Sequence, residues 1–108
     1  MDGTALVFAE GEFGTPRART ANTLVRDSER YAVAGVVDSR LAGRTADEVV
    51  EGASRAVPVF ASTREAVDRL GARPDYFVIG LDPDDGRLEA RYRRAVAGAL
   101  RLGMHVDS

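Results

Sequence analysis

Apolar positions along the chain fall into short runs separated by turn-forming residues. Leu6-Val7-Phe8-Ala9 is consecutive rather than alternating, the pattern of a strand buried on both faces, so Thr4 to Ala9 reads as a first strand. Tyr31 to Val37 reads as a second. Val57-Pro58-Val59-Phe60 is a third, and Pro58, which cannot donate to a ladder, confines it to an edge or keeps it very short. Tyr76 to Gly80 is a fourth and the most apolar, and Met104-His105-Val106-Asp107 begins a fifth.

Between these runs the spacing turns helical. Pro16 limits where the first helix can start, and Thr20 is its expected cap, with the helix running through Val25 and Arg26. Thr45 followed by Glu48 is a capping box opening a short helix, and Ser62 with Glu65 opens another that reaches Leu70 and stops at Gly71. Asp82 to Gly86 is a turn. In the last helix Leu88, Tyr92, Ala95, Val96, Ala99 and Leu100 recur every three or four residues, with Arg91, Arg93, Arg94 and Arg101 opposite and Gly103 at its end. Strands alternating with helices predict an α/β fold: a Rossmann-like, three-layer open parallel sheet of four to five strands joined by right-handed crossovers.

Composition bounds what this frame can do. At 108 residues the chain is a single domain, residues 1–108. It stops almost as its last strand begins, which reads as the N-terminal part of a longer two-domain protein. The formal charge of −2 is spread over interspersed acids and bases, so no basic stripe points to nucleic acid. No apolar run approaches the ~20 residues that span a bilayer. Asp2 and Glu10 stand where a signal peptide would carry bases, so a cytoplasmic location is expected. Cysteine is absent and His105 is the one histidine, which argues against disulfides, a protein-only zinc site and a Cys nucleophile. With no G-x-S-x-G elbow either, no catalytic and no metal-binding residue is assigned. Every basic residue is arginine, for which a GC-rich coding sequence is the simpler account.

The candidate chemistry lies at the strand ends. Glu10-Gly11-Glu12-Phe13-Gly14-Thr15 follows the first strand, and backbone amides of such a loop, with the helix end after it, can hold an anion. It lacks the G-x-G-x-x-G spacing of a dinucleotide fingerprint, and its two acids oppose a pyrophosphate, offset by Arg17 and Arg19. A phosphate cradle and a purely structural turn therefore stand side by side. Asp38 ends the second strand, where nucleotide-binding folds place the acid that accepts ribose hydroxyls, though its interval from Gly11 exceeds the usual ~20 residues. Two readings of it stay open: an exposed ligand-binding carboxylate, or the start of a turn. Arg40 and Arg44 are candidates for a phosphate of NADP or coenzyme A, or else solvated loop charges. Gly80, at the end of the fourth strand, permits a close backbone approach or simply turns the chain.

Three stretches bring these residues together: Ala9 to Thr15; Arg19-Thr20-Ala21-Asn22; and Val37-Asp38-Ser39-Arg40-Leu41-Ala42-Gly43-Arg44-Thr45-Ala46. With Val57 to Phe60, Pro74 to Gly80 and Gly103 to Ser108, they make the chain resemble the N-terminal Rossmann-like domain of the DUF1611 family over nearly its whole length. The resemblance implies a C-terminal P-loop NTPase-like domain as partner. It also implies dehydratase- or epimerase-like labels, and for part of the family N-acetylation of D-glutamate from acetyl-coenzyme A. This chain has no G-x-x-x-x-G-K-[ST] and no lysine with which to make one, so activity depending on that half is not assigned to it. The expected function is a module binding a small nucleotide, NAD(P) or coenzyme A-type ligand, not catalytic alone. Its binding residues would be Gly11, Glu12, Phe13, Gly14, Thr15, Thr20, Asp38, Ser39, Arg40, Arg44, Thr45 and Gly80. The alternatives are part of an acetyltransferase or NAD(P)-dependent enzyme, and an oligomerisation module with a vestigial site. Apolar surface left on the sheet and last helix leads us to expect a homo-oligomer.

Overall fold

The computed structural model describes residues 3–82 and 89–107. Five strands, β1 (Gly3–Phe8), β2 (Tyr31–Val37), β3 (Val59–Phe60), β4 (Tyr76–Ile79) and β5 (His105–Asp107), form one parallel sheet in the order β3-β2-β1-β4-β5. The helices are α1 (Arg19–Arg26), α2 (Ala46–Val49), α3 (Thr63–Leu70) and α4 (Glu89–Arg101). The strand order reverses direction after β3. Right-handed crossovers therefore put α1 and α2 on one face and α3 and α4 on the other. Among the described residues no helix is long and apolar enough to cross a membrane.

Burial follows the sequence pattern. β1 is central, and Ala5, Leu6, Val7, Phe8 and the following Ala9 are all buried. β3 is an edge strand of two residues, as Pro58 requires. The capping box of Thr45 and Glu48 is present on α2, and Ser62 Oγ accepts the Glu65 amide at the start of α3. Gly71 ends α3 in the left-handed conformation. One expectation fails. Thr20 lies inside α1, whose N-cap is Ala18, because Pro16 instead starts a separate 3-10 turn over Pro16–Ala18 that Thr15 caps. Of the expected turn over residues 82–86 only Asp82 lies within the described residues, and Leu88 lies outside them.

Two contacts set how the layers meet. The Tyr31 hydroxyl donates to Asp107, which also pairs with Arg30 at 3.1 Å, so the start of β2 is tied to the far edge strand. Gly80 is where α1 comes down on the sheet. The Ala21 amide donates to the Gly80 carbonyl at 3.2 Å, and a Cβ on Gly80 would stand 2.6 Å from Ala21 Cβ and 2.8 Å from Val7 Cγ1. The close approach foreseen at Gly80 is thus made by a helix of the same chain. Gly80→Ala is expected to cost about 1–3 kcal/mol by overpacking, read as a lower urea midpoint at unchanged slope. A midpoint equal to the parent's would show that α1 has room to shift.

Candidate functional site

The loop from Ala9 to Ala18 leaves β1 at the carboxyl edge of the sheet, and its course is set by Asp38. That residue follows β2, and its own amide donates to the Phe60 carbonyl at 3.0 Å, which fixes it between the loop and the edge strand. Its side chain is fully buried. One carboxylate oxygen accepts the amides of Gly11 (3.1 Å) and Arg40 (3.0 Å); the other accepts the Phe13 amide (3.0 Å) and Arg40 Nη2 (3.3 Å). Arg40 Nη2 also donates to the Phe13 carbonyl at 2.8 Å. A buried charge is tolerated only when paired and hydrogen-bonded, and this one has both. Of the two readings of Asp38, the exposed carboxylate fails because the loop folds over it, and the start of a turn holds, since its side chain accepts the Arg40 amide at the head of the 3-10 turn Ser39–Leu41.

The remaining loop amides are satisfied in turn. Glu12 donates to the Ala9 carbonyl and Thr15 to the Glu12 carbonyl, at 3.0 and 2.9 Å. The Gly14 amide reaches Asn22 Oδ1 at 3.0 Å, and Asn22 Nδ2 returns to the Thr15 carbonyl at 2.9 Å. Arg17 donates to Thr15 Oγ1 and Ala18 to the Thr15 carbonyl. From Gly11 to Ala18, every backbone N–H has an acceptor within the chain, Pro16 having none to give. Gly14 has a left-handed φ of 89°, and a Cβ there would meet Val49 Cγ1 at 2.7 Å, so glycine is required twice over. Phe13, 1 % exposed, anchors the loop in the core.

The two acids of the loop have structural partners as well. Glu10 accepts the Ser39 amide at 2.8 Å and its hydroxyl at 2.5 Å, and Glu12 accepts the Thr15 hydroxyl at 3.1 Å. Gly11, Glu12, Phe13, Gly14, Thr15, Asp38, Ser39 and Arg40 thus form one interlocked unit. The other expected residues stand apart from it. Thr20 is exposed on α1, and Arg44 and Thr45 run beside Pro58 and Val59, where the Arg44 carbonyl accepts the Val59 amide at 2.9 Å.

A concavity opens on the opposite face at the same edge of the sheet. It is a cavity of about 330 Å³ between the ends of β1 and β2 (Phe8, Val37), Glu10, the start of α3 (Ala61, Ser62, Thr63, Arg64) and one face of α4 (Arg94, Ala95, Gly98). Sequence reading assigned none of these residues to a site. The available signal was Gly98, a glycine within an otherwise regular helical pattern.

A family model described as a domain of unknown function (DUF1611_N), Rossmann-like domain, matches residues 39–108, nearly two thirds of the chain. Among solved structures, the crystal structure of a DUF1611 family protein from Anabaena variabilis superposes with a TM-score of 0.83 at 26% identity. The match covers 96% of this chain and 29% of that one, so the chain spans under a third of its relative's length. No curated protein matches it.

Asp38→Ala would leave the buried amides of Gly11 and Phe13 without acceptors. We expect a loss on the order of 3 kcal/mol, read by denaturant melting, and a smaller loss for Arg40→Ala, whose side chain is half exposed. A stable Asp38→Ala protein would mean that the loop finds other acceptors.

Proposed function

The chain belongs to the DUF1611_N family of Rossmann-like domains, and we propose that it is a ligand-binding module, not catalytic alone, whose nucleotide- or coenzyme A-type ligand sits at the carboxyl edge of the sheet. The observation that carries this is the cavity at the carboxyl ends of β1 and β2, the edge of the sheet at which open α/β folds bind their ligands. The loop after β1 supports the same placement by exclusion. Its amides from Gly11 to Ala18 already have acceptors, so a phosphate there would have to displace Asp38 or Asn22. On this reading the interlocked loop and Asp38 are structural, and among the described lining residues the loop contributes Glu10, which also holds Ser39. The longer relative favours a module working beside further domains, with the P-loop NTPase-like domain implied by the family resemblance as the proposed neighbour. Any acetyl transfer or NAD(P) chemistry would belong to the larger protein.

Thermal-shift titration with NAD⁺, NADP⁺, ATP, coenzyme A and acetyl-coenzyme A tests the reading. A ligand at a hundred times its Kd should stabilise the fold by ~2.7 kcal/mol, and indifference to all five would sink it. The second reading, an assembly module, draws on α4. Tyr92 and Leu100, eight residues apart on one side of the helix, are 37% and 58% exposed. Light scattering at high concentration should then give at least a dimer mass, which Leu100→Glu reduces to that of the monomer. A monomer throughout would remove this second reading.

A further inference from the structure

Gly98 lines the cavity, and the fold does not explain why glycine stands there. It lies within α4 and outside the positive-φ glycines, so its backbone conformation is open to any residue. A Cβ built on it would meet nothing within 4 Å among the described residues. Gly14 and Gly80 differ in this respect, because their side of the chain is filled by neighbours under 3 Å away. Glycine within a helix is unfavourable relative to alanine. At Gly98 neither conformation nor packing compensates, and what the missing side chain preserves is open volume. Arg94 and Ala95 precede it by four and three residues, so the three share one face of α4, and all three line the cavity.

Resting on the module reading above, we propose that this cavity is the ligand site, that it takes one nucleoside-sized body bearing a single anionic group, and that Gly98 keeps it open. The size argument comes first. The concavity, open to solvent and about 330 Å³ in volume, is at the low end of small-molecule sites, roughly 300–1,000 Å³, and seats a body of nucleoside size. Chemistry then divides the ligand. Phe8 and Val37 give the cavity an apolar wall against which a base can lie. Arg64 and Arg94 supply two guanidinium groups suited to a phosphate. Arg64 has one exposed partner, Asp68 at 3.9 Å, a pairing weak enough to exchange for a ligand. The acid among the described lining residues is Glu10, whose two oxygens hold Ser39. Two guanidinium groups within one small cavity can converge on a single phosphate group, whereas Glu10 opposes a longer run of negative charge such as a triphosphate.

The test uses the whole chain with AMP as probe, and adenosine and inorganic phosphate as its separate halves. Calorimetry should show AMP binding weakened at least tenfold by Gly98→Leu, which fills the cavity. Arg94→Ala should weaken AMP about five- to tenfold and leave adenosine unchanged. Gly98→Ala, which adds only a methyl group to open space, should raise the melting midpoint by roughly 3–6 °C. A fall instead would show that the fold itself needs glycine and would overturn the argument. AMP binding unaffected by Gly98→Leu overturns the cavity assignment while leaving the module reading intact. A wild-type chain that ignores AMP yet is stabilised by NAD(P) or coenzyme A overturns the mononucleotide assignment and leaves the module reading standing. A wild-type chain indifferent to AMP and to all the cofactors overturns both.

Discussion

The carboxylate of Asp38, held by the amides of Gly11, Phe13 and Arg40 and by the Arg40 guanidinium, is the contact from which the carboxyl edge of this domain is built. It joins the loop after β1, the end of β2 and the turn over Ser39–Leu41 through one side chain with no exposure to solvent. A carboxylate taken out of water needs several donors to offset its desolvation, and a glycine-bearing loop can turn successive amides toward one point. Each feature therefore requires the other: without Asp38 the amides of Gly11 and Phe13 would be orphaned, and without the loop the charge could not be interior.

The consequences spread along the chain in both directions. Because Gly11 and Phe13 are drawn inward, the Phe13 ring enters the core and the backbone reverses at Gly14, where only glycine fits against Val49. The 3-10 turn at Pro16–Ala18 then delivers α1 onto the sheet beside Gly80. On the α1 side of the edge these contacts tie the loop and the helix to the sheet. On the other side, α3 and α4 leave a cavity between themselves and the ends of β1 and β2. The two faces differ in what meets the strand ends: on one side a buried acid and α1, whose Ala21 packs on Gly80, on the other an open face of α4 with Gly98 on it.

Much of the architecture was legible in the sequence because local rules sufficed. Consecutive apolar runs marked the buried strands, Pro58 marked the edge, and Thr45, Ser62 and Gly71 marked helix ends at the positions observed. Thr20 misled because two threonines flank the Pro16 turn, and which of them caps depends on a break between the 3-10 turn and α1 that no local pattern encodes. The site was less legible for a different reason. Asp38 after an apolar strand suits both a ligand-facing acid and an interior one, and only the fold brings the Gly11 and Phe13 amides to it across more than twenty residues of sequence. The cavity drew on residues that look like ordinary core and helix surface, and Gly98 alone broke the pattern.

In a dinucleotide-binding Rossmann domain the loop amides and the acid after the second strand serve opposite ends of the ligand, one taking pyrophosphate and the other ribose. Here the two recognise each other. An internal carboxylate in fixed geometry has no translational freedom left to lose, whereas an incoming phosphate must lose its own and also leave Asp38 buried without its donors. Competition at that loop therefore favours the chain over any free anion of similar charge. The same fold still offers a concave site at the same edge, on the face where no internal group fills the space. A ligand there keeps Asp38 paired and avoids the competition, so the interlocked loop and the proposed site can coexist on opposite faces of the same sheet edge.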